Sequence, residues 1–209
     1  MKDVTIIVLS FLFFSCSSNE QGKHQVKQWE KIVTEENRDS NYIKMVFGNE
    51  LKSSKLIEFD EFVSDDFIVK YPKKWKKGTK HEVGTRFIFN ENIPSPKLWP
   101  ASINLQIQDL TNNEGLEISL DDYLSISKMQ IAESGSQFSF QESKKFHDNK
   151  HEYGIVIVNG NAKGFNLKTI QKVVVKNNKA FLLTFMCDEL RISEYKEILT
   201  TFFDQLIIK

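Results

Sequence analysis

The sequence predicts an α+β domain, a mostly antiparallel sheet layered with helices, set behind an N-terminal export segment. Three observations carry this reading. Strand-like runs outnumber helix-like ones, and the last three succeed one another through short turns. Ser102-Ile103-Asn104-Leu105-Gln106-Ile107-Gln108 alternates polar and apolar residues, the pattern of a half-buried strand. Near the end of the chain, Tyr195, Ile198, Leu199, Phe202, Phe203 and Leu206 fall at i, i+3, i+4, i+7, i+8 and i+11. That stripe belongs to a helix packed against a sheet.

The 209 residues have room for one domain plus a tether, and 40% apolar and 12% aromatic content suffices for a core. Lys+Arg and Asp+Glu both number 28, so no global field draws in nucleic acid. There are 2 cysteines. If Cys16 carries lipid, Cys187 has no partner, so an intramolecular disulfide is excluded. Cys187, ending an apolar strand, reads as a small buried hydrophobe.

Residues 1–15 read as an export signal. Lys2 precedes an apolar run from Val4 to Phe14, too short in helical form for the roughly 30 Å of bilayer hydrocarbon. Ser15-Cys16 comes next, then polar Ser17-Ser18-Asn19-Glu20-Gln21-Gly22. This arrangement resembles bacterial lipoprotein signal peptides. In that class a small residue precedes the cut and the cysteine thiol accepts diacylglycerol. The resemblance implies a mature chain that begins at Cys16 and is anchored in the cell envelope, in the outer membrane.

Residues 16–55 read as the lipidated N-terminus and a polar spacer, with scattered apolar residues (Trp29, Ile32, Tyr42, Val46) able to form one or two weak helices. Residues 56–209 read as the domain. Phe67-Ile68-Val69-Lys70-Tyr71 is a strand stopped by Pro72, and Arg86-Phe87-Ile88-Phe89 is another. Asn90 to Pro100, with three prolines, is a loop. Ser119 caps a helix with Asp121 and Asp122 in its first turn, running to about Glu133 and stopping near Gly135. Then come strands at Glu152–Ala162, Leu167–Lys176 and Ala180–Cys187, the last two joined at Asn177-Asn178 by a tight turn that tolerates positive φ. Ser193 opens the final helix.

Phe67-Ile68-Val69-Lys70-Tyr71-Pro72-Lys73-Lys74-Trp75 resembles the opening of the PsbP-like proteins, a strand ending in Tyr-Pro with a Trp shortly after. Ser119-Leu120-Asp121-Asp122-Tyr123 is similar to that family's first helix. Gly160-Asn161-Ala162, Ile170-Gln171-Lys172-Val173-Val174-Val175 and Lys179-Ala180-Phe181-Leu182-Leu183-Thr184-Phe185 resemble its closing hairpins, and Thr201-Phe202-Phe203-Asp204 its terminal helix. The family includes extrinsic photosystem II subunits, a Ran-binding protein of the Mog type and many bacterial lipoproteins. The resemblance implies a three-layer α/β/α sandwich with a binding or assembly role and no shared active site. Fold does not fix function.

Candidate chemistry is sparse. His147-Asp148-Asn149-Lys150-His151 has metal-ligand spacing on a helix, but Asp148-Asn149 is turn chemistry between strands, which sends the two rings apart. No metal site is expected. The acidic pairs Asp65-Asp66, Asp121-Asp122 and Asp188-Glu189 sit where caps and turns explain them. No nucleophile elbow, phosphate-cradling glycine loop or dinucleotide fingerprint is present, so no cofactor is implied.

The segment Lys70 to Lys80 holds six lysines and no acid around Trp75. It reads either as a site for an anionic partner or as a solvated face over a packed indole. Trp99, next to Pro100, reads either as an interface anchor or as a lid on the core. Trp75, Trp99, Lys73, Lys74, Lys76 and Lys77 are the candidate partner-binding residues. The expected function is a non-enzymatic lipoprotein that binds an envelope protein. The alternatives are a hydrolase or a small-ligand carrier using an unrecognised cleft.

Overall fold

The computed structural model describes residues 40–48, 57–78, 84–93, 95, 97–111, 117–133, 137–148 and 151–209. In chain order these form α1 (Ser40–Phe47), β1 (Phe59–Val63), β2 (Phe67–Pro72), β3 (Lys76–Lys77), β4 (Thr85–Asn90), β5 (Ser102–Asp109), α2 (Leu120–Glu133), β6 (Phe138–His147), β7 (Glu152–Ala162), β8 (Phe165–Lys176) and β9 (Lys179–Asp188). A 3-10 segment (Glu189–Tyr195), α3 (Lys196–Asp204) and β10 (Ile207–Ile208) complete the chain. The α+β class expected from the sequence is what the chain adopts. All described strand pairs are antiparallel.

Seven strands form the main sheet in the order β3-β4-β5-β9-β8-β7-β6, and β1-β2-β10 form a second, smaller one. Side chains on successive residues point to opposite faces of a strand, and in β9 both faces are apolar. Phe181, Leu183, Phe185 and Cys187 enter one core cluster, while Ala180, Leu182 and Met186 enter another. On the second face lies α2, which carries the chain from the middle of the sheet to its far edge and contributes Leu120, Tyr123 and Leu124. On the first lie α1, α3 and the small sheet, through Tyr42, Phe202, Phe203, Phe67 and Val69. That layer is therefore mixed, part helix and part strand.

Local rules explain most boundaries. Ser119 caps α2 as its sequence suggests. Its hydroxyl accepts the Asp122 N–H at 3.2 Å, and the Asp122 carboxylate accepts the Ser119 N–H at 3.1 Å, a reciprocal capping box. Asn177 and Asn178 both take positive φ, 53° and 54°, which lets a two-residue turn match the twist of β8 and β9. Gly160 faces Phe138 across β6 and β7, where an added Cβ would lie 2.1 Å from the ring. The glycine lets the aromatic lie flat on the strand.

Several expectations need correction. Ser193 does not open the last helix. It lies within the 3-10 segment, and α3 starts after Tyr195 with no side-chain cap. The apolar stripe itself is right, since Tyr195, Ile198, Leu199, Phe202, Phe203 and Leu206 are all buried. Within the stretch read as spacer, α1 packs on the core through Tyr42, which is 0% exposed, and buried Val46. Strands β1, β3, β6 and β10 lie where the sequence reading places no element. In β6, Phe-Ser-Phe-Gln-Glu-Ser-Lys-Lys-Phe-His breaks its alternation at a bulge between Phe140 and Glu142. Bulges and lysines on an edge strand discourage pairing with other chains.

Phe202 is fully buried, its ring edge-on to Phe87 at 6.2 Å. Replacing it with alanine removes the ring and leaves a cavity between α3 and the sheets. Phe202→Ala should lower stability by about 3–5 kcal/mol, read from urea or thermal unfolding of the purified protein.

Candidate functional site

The best-defined polar assembly lies at one pole of the main sheet, where β4 ends, β5 begins and β9 runs into the 3-10 segment. Glu91 comes directly after β4. Its N–H donates to the Ala101 carbonyl at 2.7 Å, and its carboxylate accepts the Ala101 N–H at 3.2 Å. These two bonds close the base of the proline-rich loop. Arg191 then grips the same carboxylate with two nitrogens at 3.0 and 3.2 Å. It also donates to Glu194 at 3.1 Å and to the Trp99 carbonyl at 3.4 Å. The Tyr195 hydroxyl donates to Glu91 at 2.6 Å, and the Arg191 guanidinium lies 5.0 Å from the Tyr195 ring centre. Burial, then the Glu91 carboxylate, pushes the Tyr195 phenol well above its ordinary range, so it remains a donor. Planar two-point pairing of this kind fixes orientation as well as charge. Four donors already converge on Glu91, so the cluster works as a clamp joining the loop to the 3-10 segment.

Both candidate tryptophans attach to this clamp. Trp75 stands edge-on to the Tyr195 ring at 6.4 Å and packs, half-buried, against the first core cluster. Trp99 packs against the second cluster with its ring 5.7 Å from Phe165, while its carbonyl is held by Arg191. Both indoles thus close the ends of cores. Lys73 pairs with Glu58 at 3.7 Å in an exposed contact, worth little to stability. Lys74 is exposed in the turn before β3. Lys76 and Lys77 are the whole of β3, a two-residue edge strand, and both are exposed. Short, lysine-bearing edges are a common way to protect a sheet from pairing with another chain, which explains these two lysines structurally. Cys16 and Lys80 lie outside the described residues.

The histidines take different places. His147 ends β6 opposite Glu152, whereas the His151 backbone N–H donates to the Asp148 carboxylate at 2.8 Å. Among the described residues, no three His, Cys, Asp or Glu side chains gather as a metal site would require. Members of each acidic pair serve the fold. Asp66 meets Lys179 at 3.4 Å, Asp121 meets Lys145 at 2.7 Å, Asp122 caps α2, and Asp188 accepts the Leu190 N–H. Cys187 is buried and free, and burial pushes its thiol well above the ordinary range. A cleft of about 430 Å³ lies between the start of α2 and the ends of β7 and β8, lined by Ser119, Leu120, His151, Glu152, Val175 and Lys176. Of its two charged lining residues besides His151, Glu152 pairs with Lys145 at 3.2 Å and Lys176 ends β8.

Two features escaped sequence reasoning. The clamp joins residues about a hundred positions apart, and nothing local marks Glu91 or Arg191 as partners. Lys172 is 3% exposed in the middle of β8. Its ammonium donates to the Phe203 carbonyl at 3.1 Å, lies 3.5 Å from Asp148 and stands 3.9 Å over the Tyr153 ring. A cation at the last turn of α3 complements the helix dipole. Its sequence signal was faint: a lysine on the strand face it shares with Ile170 and Val174.

No protein-family profile matches the chain, and a search of curated proteins finds no sequence match. Solved structures do resemble it. The cyanobacterial PsbP protein CyanoP of Synechocystis sp. PCC 6803 superposes with a TM-score of 0.54 at 11% identity, over 77% of this chain and 98% of that one. The fold is PsbP-like. LpqN, involved in cell envelope biogenesis of Mycobacterium tuberculosis, gives a TM-score of 0.54 at 11% identity over 82% of this chain and 97% of that one. PA94 of Pseudomonas aeruginosa, a protein of unknown function, gives 0.52 at 11% identity over 73% and 98%. The PsbP-like arrangement expected from the strand ending Tyr71-Pro72 and from the closing hairpins is therefore the one adopted.

The clamp and its indoles carry a stability prediction. Glu91→Ala leaves Arg191 and Tyr195 without their shared acceptor and should lower stability by about 3 kcal/mol, as loss of one member of a largely buried ion pair does. Trp99→Ala should cost about 2 kcal/mol, less than a fully buried indole would. Denaturant midpoints of both variants check this, and an unchanged midpoint for Trp99→Ala would remove its role as a lid.

Proposed function

We propose that this chain is a lipid-anchored cell-envelope protein whose PsbP-like domain binds an envelope protein and catalyses no reaction. The observation that carries the reading is the placement of Cys16, directly after Ser15 at the end of an apolar run and directly before a polar stretch. An acylated N-terminus with two or more chains anchors stably, since each buried methylene contributes about 0.8 kcal/mol. Among the described residues, no helix is long and apolar enough to cross a membrane. The structural likeness to LpqN, a protein of cell envelope biogenesis, is compatible with such a setting. Asp66, Asp121, Asp122, Asp188 and Glu91 are engaged in caps, turns and ion pairs, which favours binding over catalysis.

The partner surface we assign is the clamp pole. Leu98 is 41% exposed and Leu190 is 89% exposed there. Each is the chain neighbour of a residue in the Arg191–Trp99 contact, so the clamp holds both leucines on fixed backbone. Lys74, Lys76 and Lys77 stand nearby on the turn and edge beside Asn90. Rigid presentation lowers the entropy lost on binding.

Cys16→Ala should abolish incorporation of labelled fatty acid and release the protein from its membrane fraction; continued labelling would contradict the anchor. Leu190→Asp should remove a protein adduct formed by cross-linking in intact cells while leaving the melting temperature unchanged. An adduct that survives this substitution would place the partner surface elsewhere.

A further inference from the structure

The acids of the clamp pole are engaged within the fold. Glu91 takes its four donors from Ala101, Arg191 and Tyr195. Glu194 accepts from Arg191 at 3.1 Å, Glu189 from the Asn159 amide at 3.1 Å, and Asp188 from the Leu190 N–H at 3.0 Å. Glu58 pairs with Lys73. The cations are matched less completely. Lys74, Lys76, Lys77 and Lys97 are exposed, and among the described residues none of them enters an ion pair. Lys+Arg and Asp+Glu both number 28 in the whole chain, so this positive surface is a local feature.

Protection of a sheet edge accounts for Lys76 and Lys77 alone. Lys74 lies in the turn before β3 and Lys97 in the loop before Trp99, where no edge needs guarding. These lysines stand beside apolar groups on fixed backbone. Lys74 and Lys76 flank Trp75, whose ring meets Tyr195 of the clamp, and Lys97 precedes Leu98. The Lys97 N–H donates to the Ser95 hydroxyl and the Leu98 N–H to the Ser95 carbonyl, both at 3.3 Å, which holds that corner of the loop.

The shape of the surface narrows what can cover it. Successive strand residues point to opposite faces, so Lys76 and Lys77 leave β3 on opposite sides of the sheet edge. The indoles divide in the same way, Trp75 closing the first core cluster and Trp99 the second. A flat bilayer meets one side of such an edge, whereas a protein segment can follow both. A polyanion without apolar groups would match the lysines and leave Leu98 and Leu190, 41% and 89% exposed, against water.

We infer that the partner protein engages this pole through an acidic segment that also carries apolar side chains, its carboxylates on the four lysines and its apolar groups on Leu98 and Leu190. The inference rests on the clamp pole being the partner surface. Exposed charges of this kind set the encounter rate and reject wrong partners more than they add affinity. Their attraction fades beyond about 8 Å at physiological salt, so binding is salt-sensitive.

The test uses the full protein in isolated envelopes, with a photoreactive leucine analogue in place of Leu190. Irradiation should give a protein adduct. Combining Lys74→Glu, Lys76→Glu and Lys77→Glu keeps charge on the edge strand and breaks no ion pair of the fold. It should lower adduct yield about tenfold at low salt with an unchanged melting temperature, and arginine at the same three positions should restore the yield. High salt should weaken the adduct of the unsubstituted chain and not that of the glutamate variant. A synthetic peptide alternating Glu and Leu should block the adduct. Polyglutamate of equal charge should need about ten times the concentration, since burying even one leucine contributes that much. A protein adduct that ignores charge reversal and salt overturns the inference and leaves the clamp pole standing as the partner surface. A lipid adduct in place of a protein one means that a bilayer covers the pole, and equal blocking by polyglutamate means a plain polyanion site; either overturns it. No adduct of any kind removes the partner surface itself, and the inference with it.

Discussion

Strand β9 sets the terms for the rest of the fold. Ala180 to Cys187 are buried without exception, so the strand must be covered on both faces and paired on both edges. Strands β5 and β8 supply the edges. Each face then needs an apolar layer of its own, and the connections provide them. The β5–β6 link passes one side as α2, and the segment after β9 returns over the other as α3. The small sheet and α1 fill what α3 leaves uncovered. A strand with no polar side excludes any arrangement in which one sheet face meets water.

Enclosing the sheet this fully buries polar groups that must find partners. Gln171 and Thr184 sit opposite each other on β8 and β9 and bond at 3.0 Å. Lys172 answers the end of α3, an aspartate and an aromatic face together. At the clamp pole, Arg191 and Glu91 neutralise each other across two elements that share no local sequence signal. Leaving such groups half-satisfied costs more than the pairing gains, so these contacts fix which packing the sheet adopts. The clamp also stiffens the loop bearing Trp99, turning what would be a free segment into a closed rim.

How much of this the sequence shows depends on distance along the chain. The Ser119 cap, the Asn177-Asn178 turn, the alternation in β5 and the stripe from Tyr195 to Leu206 are local patterns, and each was readable. Strand β6 was not, because its bulge and charged residues blur the alternation. The 3-10 segment hid the start of α3 since Ser193 imitates a cap. Tyr42 and Val46 looked like stray apolar residues in a polar stretch; only the cleft between α3 and β7 gives them a place. The tryptophans stood out by type, and the structure brings both to the clamp. Glu91, Arg191 and Lys172 act through contacts across the sheet, and no spacing rule joins them.

With these parts in place the molecule has two poles. At one the chain enters the domain through α1, and the other presents Leu98 and Leu190 on a rigid rim. That division has meaning only if the chain is held at a membrane by its N-terminus. Intact-mass analysis of the N-terminal peptide from protein purified out of the native membrane tests this directly. The account predicts a chain beginning at Cys16 and carrying the mass of a diacylglyceryl group. A peptide retaining residues 1–15, or an unmodified Cys16, would contradict it.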